Sequence, residues 1–85
     1  MGANENNIKL KEALEAEEAL KLRGFTATCG LTGAVVVDRW NHVRGVWHFH
    51  LHSFFWTPAG YNEPTYRTST LEDAIAYSLN EISKL

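Results

Sequence analysis

The most restrictive feature of this chain is a segment in which large apolar residues alternate strictly with histidines. The apolar members are Trp47, Phe49 and Leu51, and the histidines between and after them are His48, His50 and His52. A period of two is typical of a strand with one buried face. The segment therefore predicts the central strand of a sheet, with its aromatic side at the centre of the core.

The alternation fails immediately after this segment. On one continuous strand, Ser53 would enter the core and Phe54 would join the histidine side. A tight turn or bulge at Leu51-His52-Ser53 removes the conflict, because it restarts the alternation. We therefore predict a turn there, followed by a further strand from about Ser53 to Thr57 with Phe54 and Trp56 on one side.

The composition indicates one folded domain covering residues 1–85, with residues 1–6 frayed. The chain has 85 residues, of which 45% are hydrophobic, and its net charge is −2. These values fit a small globular protein. Cys29 is the single cysteine; it predicts a reducing, cytoplasmic location and a small buried side chain. The chain has no apolar run of membrane-spanning length, and its start has four polar residues at positions 4–7 in place of an apolar stretch, so we expect no membrane segment and no signal peptide.

Two helices are expected at the ends of the domain. The segment from Ile8 to Arg23 is rich in Ala, Leu, Glu and Lys, which favour helices, and Gly24 is suited to end it. Asn6 or Asn7 is a candidate cap at its start. A second helix follows residue 70, capped either by Ser69 with Glu72 or by Thr70 with Asp73. Its apolar stripe is Leu71, Ala74, Ile75, Ser78, Leu79, Ile82 and Leu85.

Between the helices, the sequence predicts an antiparallel meander. Strands are expected at Phe25–Cys29 and Ala34–Trp40, with a turn at Asn41-His42 and a return strand from Val43. Residues 65–68 indicate only a short extended segment. The predicted fold is α+β: a two-layer sandwich of order α-β-β-β(-β)-α, with three or four strands and both helices on one face.

The Asn41-His42 turn fixes which residues face the core. It places Val36 opposite Trp47 and Arg39 opposite Arg44. The predicted core face holds Ala34, Val36, Trp40, Val43, Trp47 and Phe49. The other face would remain uncovered, and it is the predicted partner-binding surface, together with Tyr61 in the loop between Pro58 and Pro64. Its residues are Val35, Val37, Arg39, Arg44, Val46, His48 and His50. Mixtures of arginine, aromatic and apolar side chains are typical of protein interfaces.

The paired histidines provide an alternative hypothesis of metal binding. His48 and His50 would lie about 7 Å apart on one strand face. The string resembles the paired strand histidines of carbonic anhydrases and of cupins, over about five residues. That resemblance implies a zinc ligand pair, but a catalytic zinc needs a third protein ligand, and no cysteine or carboxylate has suitable spacing. We therefore predict no metal and no cofactor.

A nucleic-acid-binding alternative comes from the order helix, three strands, helix, which is similar to the double-stranded RNA-binding domain. That resemblance implies a basic cluster at the start of the last helix. Here that position contains Glu72 and Asp73, and there is no lysine between Arg23 and Lys84. Both features weigh against binding to nucleic acid.

No phosphate loop, nucleophile elbow or catalytic carboxylate pair is present, so we predict a protein that is not an enzyme. The leading hypothesis is a binding module for another protein or protein complex. Small acidic proteins of this kind are often phage- or plasmid-encoded inhibitors of host machinery, such as a CRISPR-type defence complex. Homodimerisation through the same face is the remaining alternative.

Overall fold

The computed structural model describes residues 5–30 and 32–84. The helices are α1 (Glu5–Glu15), α2 (Glu18–Leu22) and α3 (Leu71–Asn80), followed by a 3-10 turn at Ile82–Lys84. The strands are β1 (Phe25–Cys29), β2 (Val35–Arg39), β3 (His42–His50), β4 (Ser53–Pro58) and β5 (Tyr66–Thr68). They form one antiparallel sheet in the order β1-β2-β3-β4-β5.

The α+β class and the antiparallel meander are confirmed, with one more strand than we allowed. The additional strand is β5, which pairs with β4 through Tyr66 opposite Trp56 and Thr68 opposite Phe54. We did not predict β5 because a strand of only three residues is too short to show a clear alternation. Helices α1 and α3 pack against each other. α1 also packs against β1, β2 and β3, and α3 packs against β5. The buried strand residues all point to this side, so none of the described helices covers the opposite sheet face.

The first helix is interrupted, although we predicted it to be continuous. α1 ends at Glu15, Glu17 is extended (φ −80°, ψ 111°), and α2 follows. In a straight helix Leu20 would lie about 240° around the axis from Leu14. The break allows both leucines to be buried. Gly24 ends this region with φ 83°, as predicted.

The start of α1 also differs from our expectation. Glu5 and Asn6, which we expected to fray, belong to the helix, and residues 1–4 lie outside the described part of the chain. Asn7 is buried within the helix, and its Oδ1 accepts a hydrogen bond of 3.0 Å from the Phe49 N–H. β2 stops opposite Trp47, so it has no residue opposite Phe49. The Asn7 side chain serves in place of a strand neighbour.

The second helix begins in the alternative register that we considered. Thr70 is its cap, and the Thr70 hydroxyl oxygen accepts a hydrogen bond of 3.1 Å from the Asp73 N–H. Ala74, Ser78 and Ile82 of the predicted stripe are buried. Leu85 of that stripe lies outside the described residues.

The turn between β2 and β3 lies one residue earlier than we predicted. Trp40 and Asn41 have φ of 49° and 68°, so they form the two-residue turn and His42 begins β3 opposite Arg39. The pairing then shifts: Val43 opposes Asp38, whereas Gly45 opposes Val37. Arg44, between them, has no counterpart on β2. This is a β-bulge, in which one strand has an extra residue.

The shifted register reverses the predicted faces of β2. Val35, not Val36, lies opposite Trp47. Val35 and Val37, which we assigned to the open face, are 0% and 4% exposed in the core. Trp40 and Val43, which we assigned to the core, are 65% and 49% exposed. A slip of one residue moves every side chain of a strand to the other face.

Trp47 is at the centre of the core, as the alternation predicted. Its ring contacts Trp56 at 5.4 Å between centroids and meets Tyr66 and Tyr77 edge-on at 6.1 and 6.0 Å. Its indole N–H donates to the buried Ser78 hydroxyl at 3.2 Å, and that hydroxyl donates to the Ala74 carbonyl at 2.9 Å. A large buried ring with its one polar group bonded anchors the sheet to α3.

The predicted turn after the histidines is confirmed. Leu51 and His52 have φ of 49° and 65°, and β4 pairs back along β3 with Ser53 opposite His50. Phe54 and Trp56 are both buried, 2% and 1% exposed. Two hairpins with positive φ at both turn residues therefore flank β3.

Replacement of Gly45 by alanine is expected to destabilise the fold. An added Cβ would lie 2.5 Å from two ring atoms of Trp56 and 2.7 Å from the Thr57 carbonyl oxygen. Overpacking of this kind costs about 1–3 kcal/mol, measurable by urea unfolding. Gly30→Ala is the control, because its Cβ would make only an ordinary contact of 3.4 Å with Val36. Equal stability of Gly45→Ala and wild type would contradict the packing of Trp56 over Gly45.

Replacement of Asn7 by alanine is expected to destabilise the fold by leaving the Phe49 N–H unpaired. The loss should be about 1–3 kcal/mol, again measured by urea unfolding. Lys9→Ala, at an exposed position on the same helix, is the control and should unfold like the wild-type protein. If Asn7→Ala also unfolds at the wild-type urea concentration, the hydrogen bond contributes nothing to stability.

Candidate functional site

Seven of the eight residues that we predicted to form one binding surface lie in three different environments, and Arg39 lies outside all three. Val35 and Val37 belong to the core, as described above. Arg39 lies on the helix side of the sheet: its guanidinium is 5.3 Å from the Phe25 ring centre and 4.2 Å from that of Trp40, and its Nε donates to the Arg23 carbonyl at 2.7 Å. These contacts hold the Trp40 turn against the end of α2, so Arg39 has a structural position.

Three of the predicted residues, Val46, His48 and His50, do lie on the uncovered side of the sheet. We name this surface the open face. The strand register places them in rows with side chains that we had not assigned to a site. The open face includes Thr28, Val36, Val46, Thr57, His48, His50, Phe55 and Arg67, and the same alternation places Thr26 and Asp38 on it. Its apolar members Val36, Val46 and Phe55 are half-buried, whereas His48, His50 and Arg67 are exposed.

Phe55 could have been found from the sequence, whereas Arg67 could not. Once Phe54 and Trp56 face inward, Phe55 between them must face outward. Arg67 lies directly opposite Phe55 in the sheet, but this placement requires knowledge that β5 exists. The signal for Phe55 was therefore present, and the signal for Arg67 was not.

The two histidines of the open face are close together. The His48 and His50 rings lie 5.7 Å apart between centroids, with 28° between their planes. Within the described residues, no group of three His, Cys, Asp or Glu side chains is arranged to hold a metal ion. The pair therefore has no third ligand in the described part of the chain.

Arg44 lies in the third environment, on the helix side of the sheet, in a cavity of about 490 Å³. The bulge directs it there, because the extra residue of a bulge leaves the normal alternation. The cavity is lined by Arg44, Trp56, Pro58, Ala59, Tyr61, Thr65, Tyr77, Glu81 and Ile82. The loop after β4 is fixed at this point, since the Ala59 N–H donates to the Arg44 carbonyl at 2.9 Å.

The half-buried Arg44 side chain has no hydrogen-bond or ion-pair partner among the described residues. Its Nε is closed off from solvent and makes no hydrogen bond with any described residue. No described carboxylate lies within 4.0 Å of its guanidinium; Glu81, across the cavity, is instead 3.9 Å from Lys84. Buried polar groups are almost always bonded, and exceptions often mark functional positions.

The opposite wall of the cavity is aromatic. Tyr77 of α3 stacks on Tyr66 at 3.9 Å with 9° between the rings. Burial raises the pKa of the Tyr77 hydroxyl, and the Glu81 carboxylate raises it further, while a hydrogen bond with Thr65 opposes them. Tyr61 lines the same cavity and is 62% exposed, so this predicted partner-binding residue is accessible.

Cys29 is exposed, which corrects our prediction of a buried thiol. It lies at the last position of β1, an edge strand, and pairs only with Val35. A side chain at the end of an edge strand has a neighbouring strand on one side only, so it is less covered than a side chain in the middle of the sheet.

Comparison with family models, curated proteins and solved structures yields no match to this chain. Within residues 5–30 and 32–84, no helix has the length and apolar character required to cross a membrane. The functional argument therefore depends on the open face and on the Arg44 cavity themselves.

Replacing Arg44 by methionine is expected to leave the free energy of unfolding unchanged or to raise it. The substitution retains an unbranched side chain and removes a buried N–H that has no partner, whose cost is about 1–3 kcal/mol. Thermal and urea unfolding measure the change, with Arg39→Met as the matched control. Arg39→Met should destabilise, because Arg39 bonds the Arg23 carbonyl. A clear loss of stability in Arg44→Met would mean that Arg44 has structural partners.

Proposed function

We propose that this chain is a non-enzymatic module that binds another protein through the open face. The observation behind the proposal is a five-stranded sheet with helices on one side only. The uncovered side has apolar side chains at its centre and polar groups around them. Soluble proteins rarely leave a contiguous apolar surface uncovered unless it contacts something.

The chemistry of the open face suits a protein partner. Thr28, Val36, Val46 and Thr57 form a row across four strands, with Phe55 beside it. Such a flat row of β-branched side chains packs well against another apolar surface. His48 and Arg67 flank Phe55, which matches the apolar centre and polar rim of protein interfaces.

A nucleic-acid partner is less well supported by the same residues. Among the described residues of the open face, Arg67 is the one arginine, and none is a lysine. Binding to a phosphate backbone requires several cations, because affinity comes from the neutralisation of several phosphates. The start of α3, which is basic in double-stranded RNA-binding domains, here has Glu72 and Asp73 in its first turn. The five-strand sheet also differs from the three strands on which that resemblance was based.

The inhibitor hypothesis is the specific form of this proposal. A protein that acts by covering part of a host complex needs a binding surface and no catalytic group. A phage- or plasmid-encoded inhibitor of a defence complex of the CRISPR type, acting in the cytoplasm, fits that requirement. The support is general: small size, an uncovered sheet face, and no catalytic constellation recognised in the sequence.

The test is capture of a defined partner by the wild-type protein and by a charged variant of the open face. Val46→Lys combined with Phe55→Lys puts two charges at the centre of the proposed interface. We expect affinity for the partner to fall at least tenfold, because unpaired charges at an interface core are costly. Ala19→Lys, an exposed position on α2, is the control and should bind like wild type.

Two results would contradict the proposal. One is capture of the same partner by the doubly charged variant with unchanged affinity and an intact circular dichroism spectrum. The other is a wild-type dimer in sedimentation that becomes monomeric in the charged variant, which would assign the open face to self-association.

A further inference from the structure

The Arg44 cavity lies on the helix side of the sheet, away from the open face, and it has a separate chemistry. The β-bulge that creates it also determines what lies inside it. Arg44 has no counterpart on β2, and the neighbouring Gly45 has no side chain, so the Trp56 ring occupies the space next to it. A bulge of this kind redirects a side chain, and bulges are common beside binding sites.

Arg44 contributes a charge without a counter-ion. Its Nε is buried and unbonded, and Glu81, the described carboxylate that also lines the cavity, is more than 4.0 Å away and closer to Lys84. The guanidinium has a planar arrangement of donors that matches the two oxygens of a carboxylate. The Nε itself is closed to solvent, so an anion in the cavity would pair with the terminal N–H groups of the guanidinium, which have no ion-pair partner among the described residues.

The size and walls of the cavity indicate a small organic molecule. Its volume of about 490 Å³ falls within the range typical of small-molecule sites, roughly 300–1,000 Å³. Trp56, Tyr61 and Tyr77 provide aromatic surface, and Thr65 provides a hydroxyl group. Aromatic walls favour a flat ring, because rings pair well in offset and edge-to-face arrangements.

The charges in the cavity limit the ligand to a single negative charge. Arg44 is the one cationic residue among those that line it, and Glu81 is anionic. A dianion such as a phosphate monoester would form one ion pair, with Arg44, and its second negative charge would be repelled by Glu81. We propose that this cavity binds a small aromatic monocarboxylate, with its carboxylate on Arg44 and its ring between Trp56, Tyr61 and Tyr77.

The test uses the full-length protein, labelled with nitrogen-15, titrated with phenylacetate and followed by amide chemical shifts. We expect saturable shifts at Arg44, Ala59 and Tyr61. The expected dissociation constant is about 1 mM, because phenylacetate has only about ten non-hydrogen atoms and each contributes a limited binding free energy. Phenylacetamide has the same shape without the charge. It should bind at least tenfold more weakly if Arg44 recognises the carboxylate.

Variants separate the role of the charge from the role of the fold. Arg44→Gln should weaken phenylacetate binding at least tenfold, and Arg44→Lys should restore part of it. Glu81→Gln should tighten binding by about two- to fivefold, because it removes a like charge from the cavity wall. Lys9→Gln, at an exposed position on α1, is the control for loss of one positive charge and should bind like wild type.

The proposal fails if phenylacetate produces no saturable shift at these amides up to about 20 mM, twentyfold above the expected dissociation constant. It also fails if phenylacetamide binds as tightly, or if folded Arg44→Gln binds unchanged. Glu81→Gln provides a second test that does not alter Arg44, and a loss of phenylacetate binding in that variant would overturn the charge argument. None of these outcomes depends on the open face, so the two proposals can fail separately.

Discussion

The pairing of β2 with β3 determines where almost every other group in this protein lies. The register depends on two local features: a turn in which Trp40 and Asn41 both have positive φ, and the bulge at Arg44. Together they place Val35 opposite Trp47, so that both enter the core. The same two features leave Val36 and Val46 on the open face and direct Arg44 into the cavity. A sheet with one buried face has a strongly specified register, because a slip of one residue would exchange core and surface.

Trp47 then joins the sheet to the helices. Its ring is enclosed by Trp56, Tyr66 and Tyr77, and its indole N–H bonds to Ser78 of α3. The other large contacts are arranged around this centre. Arg23 donates to the Ser83 carbonyl at 3.1 Å and so connects the end of α2 to the C-terminal 3-10 turn. The edges of the core therefore depend on a few hydrogen bonds between backbone groups and long side chains, and its centre depends on aromatic packing.

Much of this architecture could be predicted from the sequence, and the errors have a common physical cause. Alternation identified Trp47 as core, the failure of alternation at Ser53 located the Leu51-His52 turn, and Gly24 marked a helix end. Trp40 was assigned to the core because the predicted Asn41-His42 turn placed it on the same face as Val36 and Trp47, but it occupies a turn position with positive φ. A bulge leaves no mark in the pattern of apolar residues, so the placement of Val35, Val37 and Arg44 could not be derived. For the same reason the predicted eight-residue surface divided into two core residues, two cavity residues, three members of the open face, and Arg39 at the turn between β2 and β3.

The order of the strands has a consequence for how the protein folds. Each strand pairs only with its neighbours in sequence, β1 with β2 through β4 with β5, so every hairpin can form over a short loop. Local pairing of this kind favours rapid folding. The contacts of the terminal helices are different: the Asn7–Phe49 bond spans 42 residues and the Arg23–Ser83 bond spans 60. Closing such long loops costs chain entropy, so we expect the meander to gain amide protection from hydrogen exchange before the two ends of the chain close over it.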